Sequence, residues 1–148
     1  MSFVVEKDTG MIPSVLAQIL DSCVNGVTLS DPDLPDNPIV YVNEVFMRIT
    51  GYSRDEIVGR NCRFLQGDDR AQPEIDEIRA ALASHRPVAV TLRNYRKDGG
   101  LFYNRLSIRP LLDPDGKVIY YLGVQYDATE QVIAQQEIER LKNLLGQA

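Results

Sequence analysis

The chain has 148 residues, of which 44% are hydrophobic and 25% are charged, which indicates one globular domain with a short extension rather than a disordered or membrane-spanning protein. The net charge of −5, without any basic run, argues against a protein that binds nucleic acid through its phosphates. Two cysteines and one histidine exclude most structural zinc sites, and residues 1–10 lack the apolar stretch of a secretory signal, so we expect a cytoplasmic location. With so few catalytic groups, a bound cofactor is an attractive hypothesis.

The N-terminal part of the chain predicts an arm, one helix and two strands. Residues 1–12 are polar and lack a period, and an amphipathic helix over 13–23 follows a proline. Short apolar runs at 27–30 and 39–42 predict strands. The stretch between them, 31–38, is rich in aspartate and proline and predicts a solvated turn.

The middle of the chain predicts a series of short helices. Asn43 caps the first of them and Gly51 ends it, while Ser53 begins a single turn with the spacing of a capping box. Residues 61–66 predict another short helix. A longer helix begins at Pro73 and extends to about residue 84.

The C-terminal part predicts a three-stranded meander followed by a helix. Alternating stretches at 88–96, 101–112 and 117–127 are separated by glycine-containing turns. The spacing of Asp127 and Glu130 resembles a capping box, which predicts a final helix to about residue 145.

This order of elements predicts an α+β fold in which a five-stranded antiparallel sheet carries helices on one face, flanked by N- and C-terminal helices. We divide the chain into an N-terminal arm and helix (1–24), a core that contains the sheet (25–127) and a C-terminal helix (128–148).

Three amide side chains fall on strand faces that are otherwise apolar. Asn94 and Asn104 alternate in phase with the apolar residues of their strands, and Gln125 follows in the last strand. A buried amide without partners costs about 1–3 kcal/mol. The two asparagines could bond each other or the backbone, but their convergence with Gln125 favours a buried heterocycle, and an amide suits the imide edge of a flavin because it donates and accepts at once.

The helical middle offers further groups for such a ligand. Cys62 and Gln66 are four residues apart, which predicts that they share one face of a helix. Arg63 and Arg79 could hold a phosphate at the rim of an apolar pocket, since guanidinium binds phosphate bidentately. Alone, Arg79 is more simply explained as a solvated helix arginine.

The sequence Asn-Cys-Arg-Phe-Leu-Gln-Gly at 61–67 resembles the signature of light-oxygen-voltage (LOV) domains, the flavin-binding blue-light sensors of the PAS superfamily. The similarity covers roughly residues 25–128. It extends through Tyr41-Val42-Asn43, Thr50-Gly51-Tyr52, Asn94-Tyr95-Arg96-Lys97-Asp98-Gly99, Asn104 and Gly123-Val124-Gln125. No kinase or DNA-binding module accompanies it, so the chain is similar to the bacterial short LOV proteins.

The resemblance implies that flavin mononucleotide (FMN) binds noncovalently in the dark, and that blue light drives a reversible thioether bond between the Cys62 sulfur and flavin carbon C4a. It places Asn94 and Asn104 on the pyrimidine edge of the flavin, and Gln125 opposite O4 and N5 as the signal relay. It assigns Asn61 and Gln66 to the ribityl chain and ring edge, Arg63, Arg79 and Arg70 to the phosphate, and Thr28 to the neighbourhood of N5. Leu65, Ile78, Leu106 and Gly123 complete the implied cofactor-binding set. Some relatives carry a further arginine where this chain has Ile75.

The last helix and one sheet face predict a homodimer. Apolar residues of the helix recur with a four-three-four spacing at Ala134, Ile138, Leu141 and Leu145. Alternation in the last strand places Val118, Tyr120, Leu122 and Val124 on the face of the sheet opposite the amides, and this face is too apolar to remain in water. The alternative is a helix that folds back on its own sheet. We expect a homodimer with an unidentified downstream protein partner, and neither nucleic-acid nor membrane binding.

The function that these features predict is a blue-light photoreceptor that does not turn over a substrate. Two alternatives remain open: a PAS flavin redox sensor without light chemistry, and a small thiol or flavin enzyme that uses Cys62, whose pKa Arg60 and Arg63 could lower. Cys23 lies on an apolar stripe and is expected only to pack. His85, at a predicted surface turn, is poorly placed to ligate a haem.

Overall fold

The computed structural model describes residues 18–20 and 22–146, and it confirms the α+β fold. The strands are β1 (Gly26–Ser30), β2 (Ile39–Val42), β3 (Val88–Tyr95), β4 (Leu101–Leu112) and β5 (Val118–Asp127). The helices are α1 (Glu44–Thr50), α2 (Arg54–Ile57), a 3-10 helix (Cys62–Gln66), α3 (Pro73–Ala83) and α4 (Thr129–Gly146). All pairings are antiparallel, in the order β2-β1-β5-β4-β3. The predicted helix over 13–23 lies largely outside the described residues, although residues 18–20 are helical.

The caps predicted for α1 and α2 are confirmed, whereas Asp127 accepts from Thr129 N–H, the first residue of α4, instead of forming the predicted capping box with Glu130. The Asn43 side chain accepts hydrogen bonds from the backbone N–H of Phe46 at 3.1 Å and of Val27 at 2.9 Å, which joins the start of α1 to β1. Gly51 ends α1 with φ of 80°, a conformation that glycine adopts without a steric penalty. Ser53 forms the predicted capping box at the start of α2.

The segment 62–66 differs from the helix that its sequence predicts. It is a 3-10 helix, with three residues per turn, so residues three apart share a row and residues four apart do not. Cys62 is therefore in line with Leu65 rather than with Gln66, so the α-helical spacing used for Cys62 and Gln66 is wrong, although both residues line the cavity described below. The tighter turn follows from the cap, because the Asn61 side chain accepts from Arg63 N–H at 3.0 Å and Gly67 closes the segment.

The inner face of the sheet alternates as predicted. Asn104 lies opposite Leu92, and Gln125 lies opposite Leu106, so the amides and the apolar residues form one continuous face. The buried apolar cluster on this face consists of Val90, Leu92, Leu106, Ile108 and Tyr121. Side chains of α3 cover it, which leaves the amides between the sheet and the helices.

The outer face differs from the prediction at one residue. Leu29, Leu111, Ile119 and Tyr120 form a second buried cluster there, and Leu20 packs against it. Val118 packs instead against the inner cluster. The cause is a bulge: Leu111 pairs with Tyr120 while Leu112 pairs with Val118, and the extra residue reverses the alternation.

The helix α4 does not fold back on its own sheet. None of its residues is buried, and Ile138, Leu141 and Leu145 are 46%, 47% and 77% exposed. The alternative of a helix packed on its own sheet is therefore wrong for the described residues. Within the part of the chain that the structure describes, no helix is long and apolar enough to cross a membrane.

Candidate functional site

A cavity of about 230 Å³ lies between the inner face of the sheet, the 3-10 helix and α3. Every residue that the sequence assigned to cofactor binding lines this cavity. They are Thr28, Asn61, Cys62, Arg63, Leu65, Gln66, Arg70, Ile78, Arg79, Asn94, Asn104, Leu106, Gly123 and Gln125. The segment that resembles the LOV signature therefore faces the amides of β3, β4 and β5 across one cavity.

The three amides form a hydrogen-bonded row along one wall. Asn104 Nδ2 donates to Asn94 Oδ1 at 3.0 Å and to Gln125 Oε1 at 2.9 Å. Asn94 Nδ2 donates to the backbone carbonyl of Arg93 at 2.9 Å. The asparagines thus bond each other, which is one of the possibilities that the sequence leaves open. The row also extends to Gln125 and faces the cavity, as a site for a buried heterocycle requires.

The row leaves one acceptor unsatisfied. Asn104 is 3% exposed, and its Oδ1 atom is buried without a hydrogen-bond partner among the described residues. Such an atom costs about 1–3 kcal/mol, and a donor from a ligand would recover it. The imide N–H of a flavin is a donor of this kind, so the donor and acceptor set of this wall fits that group.

Gly123 leaves the sheet side of the cavity without a side chain at this position. A Cβ atom at this position would lie 2.5 Å from Thr28 Oγ1, far inside van der Waals contact, and 3.7 Å from Leu106 Cδ1. Any side chain here would therefore have to displace the Thr28 side chain or one of the two strands, and it would occupy part of the cavity. The backbone at Gly123 instead remains open to a flat ligand.

The thiol of Cys62 is held in its neutral form. Cys62 is exposed as a whole residue and lines the cavity, and desolvation of its thiol raises the pKa. The Arg63 cation lowers the pKa by less than burial raises it. Arg60, which was also expected to lower it, instead stacks on the Phe64 ring, 4.2 Å from the centroid. The flanking arginines therefore do not make Cys62 a thiolate.

Arg63 and Asn61 are engaged by the β1–β2 loop. The Arg63 guanidinium pairs with the Asp36 carboxylate, and this bond lowers the pKa of Asp36. Asn61 Nδ2 donates to the Asp36 carbonyl at 2.7 Å. A phosphate at Arg63 would therefore share the guanidinium with Asp36 or displace it.

The other two rim arginines are tied less firmly. Arg79 pairs with Asp76 at 3.4 Å on the surface of α3, and both side chains are largely exposed. Arg79 is therefore a solvated helix arginine, as its position alone predicts, but it also lines the cavity. Arg70 Nε donates to the Gly67 carbonyl at 3.4 Å and pairs with no carboxylate among the described residues.

Some lining residues were missed by the sequence analysis. They are Ser30, Asn37, Ile39, Ile75, Leu82, Leu92, Ile108 and Tyr121. The two-residue period from Asn94 and Leu106 finds Leu92 and Ile108, and helical spacing from Ile78 finds Ile75 and Leu82. Asn37 follows an irregular turn, and its buried Oδ1 atom also lacks a partner, which no sequence pattern indicates.

The single histidine lies outside the cavity. His85 is exposed, and its Nδ1 atom lies 3.1 Å from the hydroxyl of Tyr121, which donates to the Leu82 carbonyl. This contact fastens the end of α3 to β5. It does not place an imidazole where a haem ligand would need it.

Comparison with known families gives a match to the PAS domain over residues 24–130. Among curated relatives, the blue-light photoreceptor of Listeria monocytogenes is 43% identical over 126 residues, covering 85% of this chain and 49% of the relative. The chain spans less than half the length of the first curated relatives that it matches.

Two solved structures also match most of this chain. A light-oxygen-voltage domain studied with a flavin analogue is 41% identical, with a TM-score of 0.74 over 87% of this chain and 95% of that one. An RNA-binding light-oxygen-voltage receptor is 36% identical, with a TM-score of 0.83 over 97% of this chain but 41% of that chain.

Proposed function

Because this chain belongs to the PAS domain family and is a light-oxygen-voltage domain, we propose that it senses blue light through bound FMN. The observation that carries the proposal is the buried Asn104 Oδ1 atom without a partner, in an amide row that shares one cavity with Cys62. When bound, FMN supplies the absorption of blue light and the carbon atom that accepts a sulfur.

The amide row holds and orients the ring. Asn104 Oδ1, which the amide row leaves free, would accept from the imide N–H, and Asn94 and Gln125 would use their remaining donors and acceptors on the same polar edge. Leu65, Ile78 and Leu106 enclose the ring and exclude water. Arg70, Arg63 and Arg79 hold the phosphate at the rim, and Arg70 contributes most because no carboxylate pairs with it among the described residues.

Cys62 is the residue that we assign to the bond that light drives. With FMN bound, its sulfur would bond to C4a of the ring and its proton would pass to N5. The raised pKa favours the proton on the sulfur in the dark, so the thiol would be ready to deliver it. Return of the proton to the sulfur in darkness, with loss of the sulfur–carbon bond, would make the response reversible.

The signal leaves through β5 and α4. Gln125 lies two residues before Asp127, whose carboxylate accepts from Thr129 N–H at 3.0 Å at the first residue of α4. The apolar stripe of α4 is exposed, and a second copy of the chain would bury it. We infer a homodimer whose packing changes when Gln125 rearranges, and a downstream protein that reads this change.

An absorption spectrum of the purified protein tests the proposal. We expect a flavin band that bleaches under blue light and returns in darkness. Cys62→Ala should keep FMN bound but abolish the bleaching, because the sulfur forms the bond and contributes little to dark binding. A protein without flavin, or a Cys62→Ala variant that still bleaches reversibly, would contradict the proposal.

The thiol-enzyme alternative gives the opposite result in an alkylation experiment. A raised pKa means that the Cys62 thiolate appears only above the ordinary thiol range. Alkylation of Cys62 by iodoacetamide in flavin-free protein should therefore be slow at pH 7 and slower than that of an ordinary thiol as the pH is raised. Fast alkylation at pH 7 would favour a redox thiolate instead.

A further inference from the structure

Residues 67–72, here called the strap, connect the 3-10 helix to α3 and lie along β3, an edge strand of the sheet. Arg70 of the strap lines the cavity, as does Gln66 immediately before it. On the other side, Leu92 and Asn94 of β3 line the same cavity. The strap and β3 are therefore two walls of one site, and the contacts between them decide whether that site is closed.

Gln72 completes the hydrogen bonds of the sheet edge. Arg93 N–H donates to Gln72 Oε1 at 2.8 Å, and Gln72 Nε2 donates to the Arg93 carbonyl at 3.0 Å. Gln72 Nε2 also donates to the Asp69 carbonyl at 2.7 Å. Gln72 is 4% exposed, so its amide substitutes for a neighbouring strand at an edge that would otherwise be open.

Asp69 adds a charged clamp at the same residue of β3. Arg93 Nε and Nη2 donate to the two carboxylate oxygens of Asp69 at 2.7 and 2.9 Å, a bidentate pair. The Tyr95 hydroxyl donates to Asp69 Oδ2 at 2.6 Å. These bonds lower the pKa of Asp69 to about 2, so the clamp stays charged at neutral pH.

The clamp also reaches the ligand-facing side of β3. The Arg93 carbonyl that accepts from Gln72 accepts from Asn94 Nδ2 as well, at 2.9 Å. Asn94 in turn accepts from Asn104 in the amide row. Release of the strap therefore disturbs a wall of the cavity on both sides of β3.

We propose that the Asp69–Arg93 clamp is the latch that retains the flavin, and that Asp69 and Arg93 are positioning residues that set the rate of flavin release. The inference rests on the proposed function, because it requires that a flavin occupy the cavity. Opening the pair removes the charged contact between the strap and β3 and leaves Gln72 to hold the strap at Arg93, so the wall that carries Arg70 loosens without unfolding of the sheet.

The test compares substitutions that weaken the clamp in graded steps. Asp69→Asn removes the charge, Arg93→Lys keeps the charge but loses the bidentate geometry, and Tyr95→Phe removes one hydrogen bond. The matched control is Glu56→Gln, which breaks the surface pair of Glu56 with Lys97 at 2.7 Å but retains capping-box chemistry. Neither Glu56 nor Lys97 lines the cavity.

Release of FMN is measured in darkness as the decay of flavin fluorescence anisotropy after dilution of the loaded protein. We expect release to be about tenfold faster in Asp69→Asn, less accelerated in Arg93→Lys, least in Tyr95→Phe and unchanged in Glu56→Gln. Urea unfolding of the flavin-free variants gives the free energy of unfolding of each variant, which is compared with its rate of FMN release. Rates that follow global stability across all four variants would overturn the latch.

A second measurement does not depend on flavin. In flavin-free protein, hydrogen exchange at the Arg93 amide reports the bond to Gln72 directly. Exchange there should be faster in Asp69→Asn and unchanged in Glu56→Gln, and an unchanged rate in Asp69→Asn would overturn the clamp. A protein that takes up no flavin overturns the proposed function and the latch with it, whereas a protein that binds and bleaches normally but releases FMN equally fast in all variants overturns the latch alone.

Discussion

The inner face of the sheet and the helix α4 expose their side chains in opposite ways. The inner face buries amides among apolar residues and leaves Asn104 Oδ1 without a partner, while α4 holds leucines and isoleucines in water. Each arrangement is unfavourable alone, by about 1–3 kcal/mol for the amide and about 25 cal/mol per Å² for the apolar surface. Each becomes favourable against a partner of matching chemistry. For the cavity this partner is a flat ring with a polar edge, and for the helix it is an apolar surface.

The cavity and the helix α4 also differ in how well they tolerate substitution. The sheet side of the cavity tolerates little change, because β5 is paired with β1 on one side and with β4 on the other. The helix contributes nothing to the buried core, so its substitutions should alter association without altering the stability of the fold. Substitutions in the two regions therefore test whether this division is real.

The largest effect is expected at Gly123. Gly123→Ala places a methyl group 2.5 Å from Thr28 Oγ1, so the Thr28 side chain or one of the two strands must shift. We expect a loss of about 3 kcal/mol in the free energy of unfolding, and FMN binding weaker by tenfold or more. Urea unfolding of flavin-free protein and FMN titration measure the two effects.

The control for this prediction is a second substitution that removes the obstructing atom. Thr28→Ala combined with Gly123→Ala should recover more than half of the lost stability, since the two residues are in direct contact. Gly146→Ala meets no atom within 4 Å and should change neither quantity. Normal FMN binding by Gly123→Ala would show that the sheet side of the cavity is not where the flavin lies.

A smaller effect is expected in α4. Leu141→Gln makes the exposed stripe more polar, and we expect the dimer to weaken by about 2 kcal/mol, or roughly thirtyfold in its dissociation constant. The unfolding of dilute, monomeric protein should remain unchanged. Sedimentation equilibrium measures the first quantity, and Gln136→Glu, off the stripe, is the control. A monomeric parent protein would overturn the homodimer.

The two regions also differ in how well the sequence predicts them. On the inner face, the two-residue period places Asn94, Asn104 and Gln125 together because regular strands alternate, and the cavity contains all three. The period fails at Val118, where the bulge adds a residue, and the helical spacing of Cys62 and Gln66 fails because the segment is a 3-10 helix. Such irregularities depend on tertiary contacts rather than on local pattern.

Contacts between loops are the other part that the sequence does not predict. The pairing of Arg63 with Asp36 joins residues far apart in the chain through an irregular turn, and Asn37 reaches the cavity by the same turn. The exposed stripe of α4 was visible as a spacing, but whether it packed on its own sheet depended on the direction in which the helix leaves β5. The relation of both regions to a partner stays a prediction.

The smallest effect is expected at the residue that connects the two regions. Gln125 accepts from Asn104 Nδ2 at 2.9 Å, and its amide can rotate to donate where it previously accepted. Two residues further along β5 lies Asp127. Its carboxylate accepts from Thr129 N–H at the start of α4 and from Arg96 Nη2 at 2.6 Å. One exchanged hydrogen bond is worth about 0.5–1.5 kcal/mol, enough to shift a balanced equilibrium about tenfold but not to unfold the domain.

Gln125→Leu preserves the approximate volume of the side chain but makes neither bond. We expect it to bleach under blue light while losing most of the light-induced change in hydrogen exchange across residues 128–145. Val124→Ile, the neighbour on the opposite face of β5, is the control and should respond like the parent protein. An undiminished response in Gln125→Leu would remove the glutamine from the route and leave the backbone of β5 as the connection between cavity and helix. A response lost together with the bleaching would instead place Gln125 in the photochemistry itself.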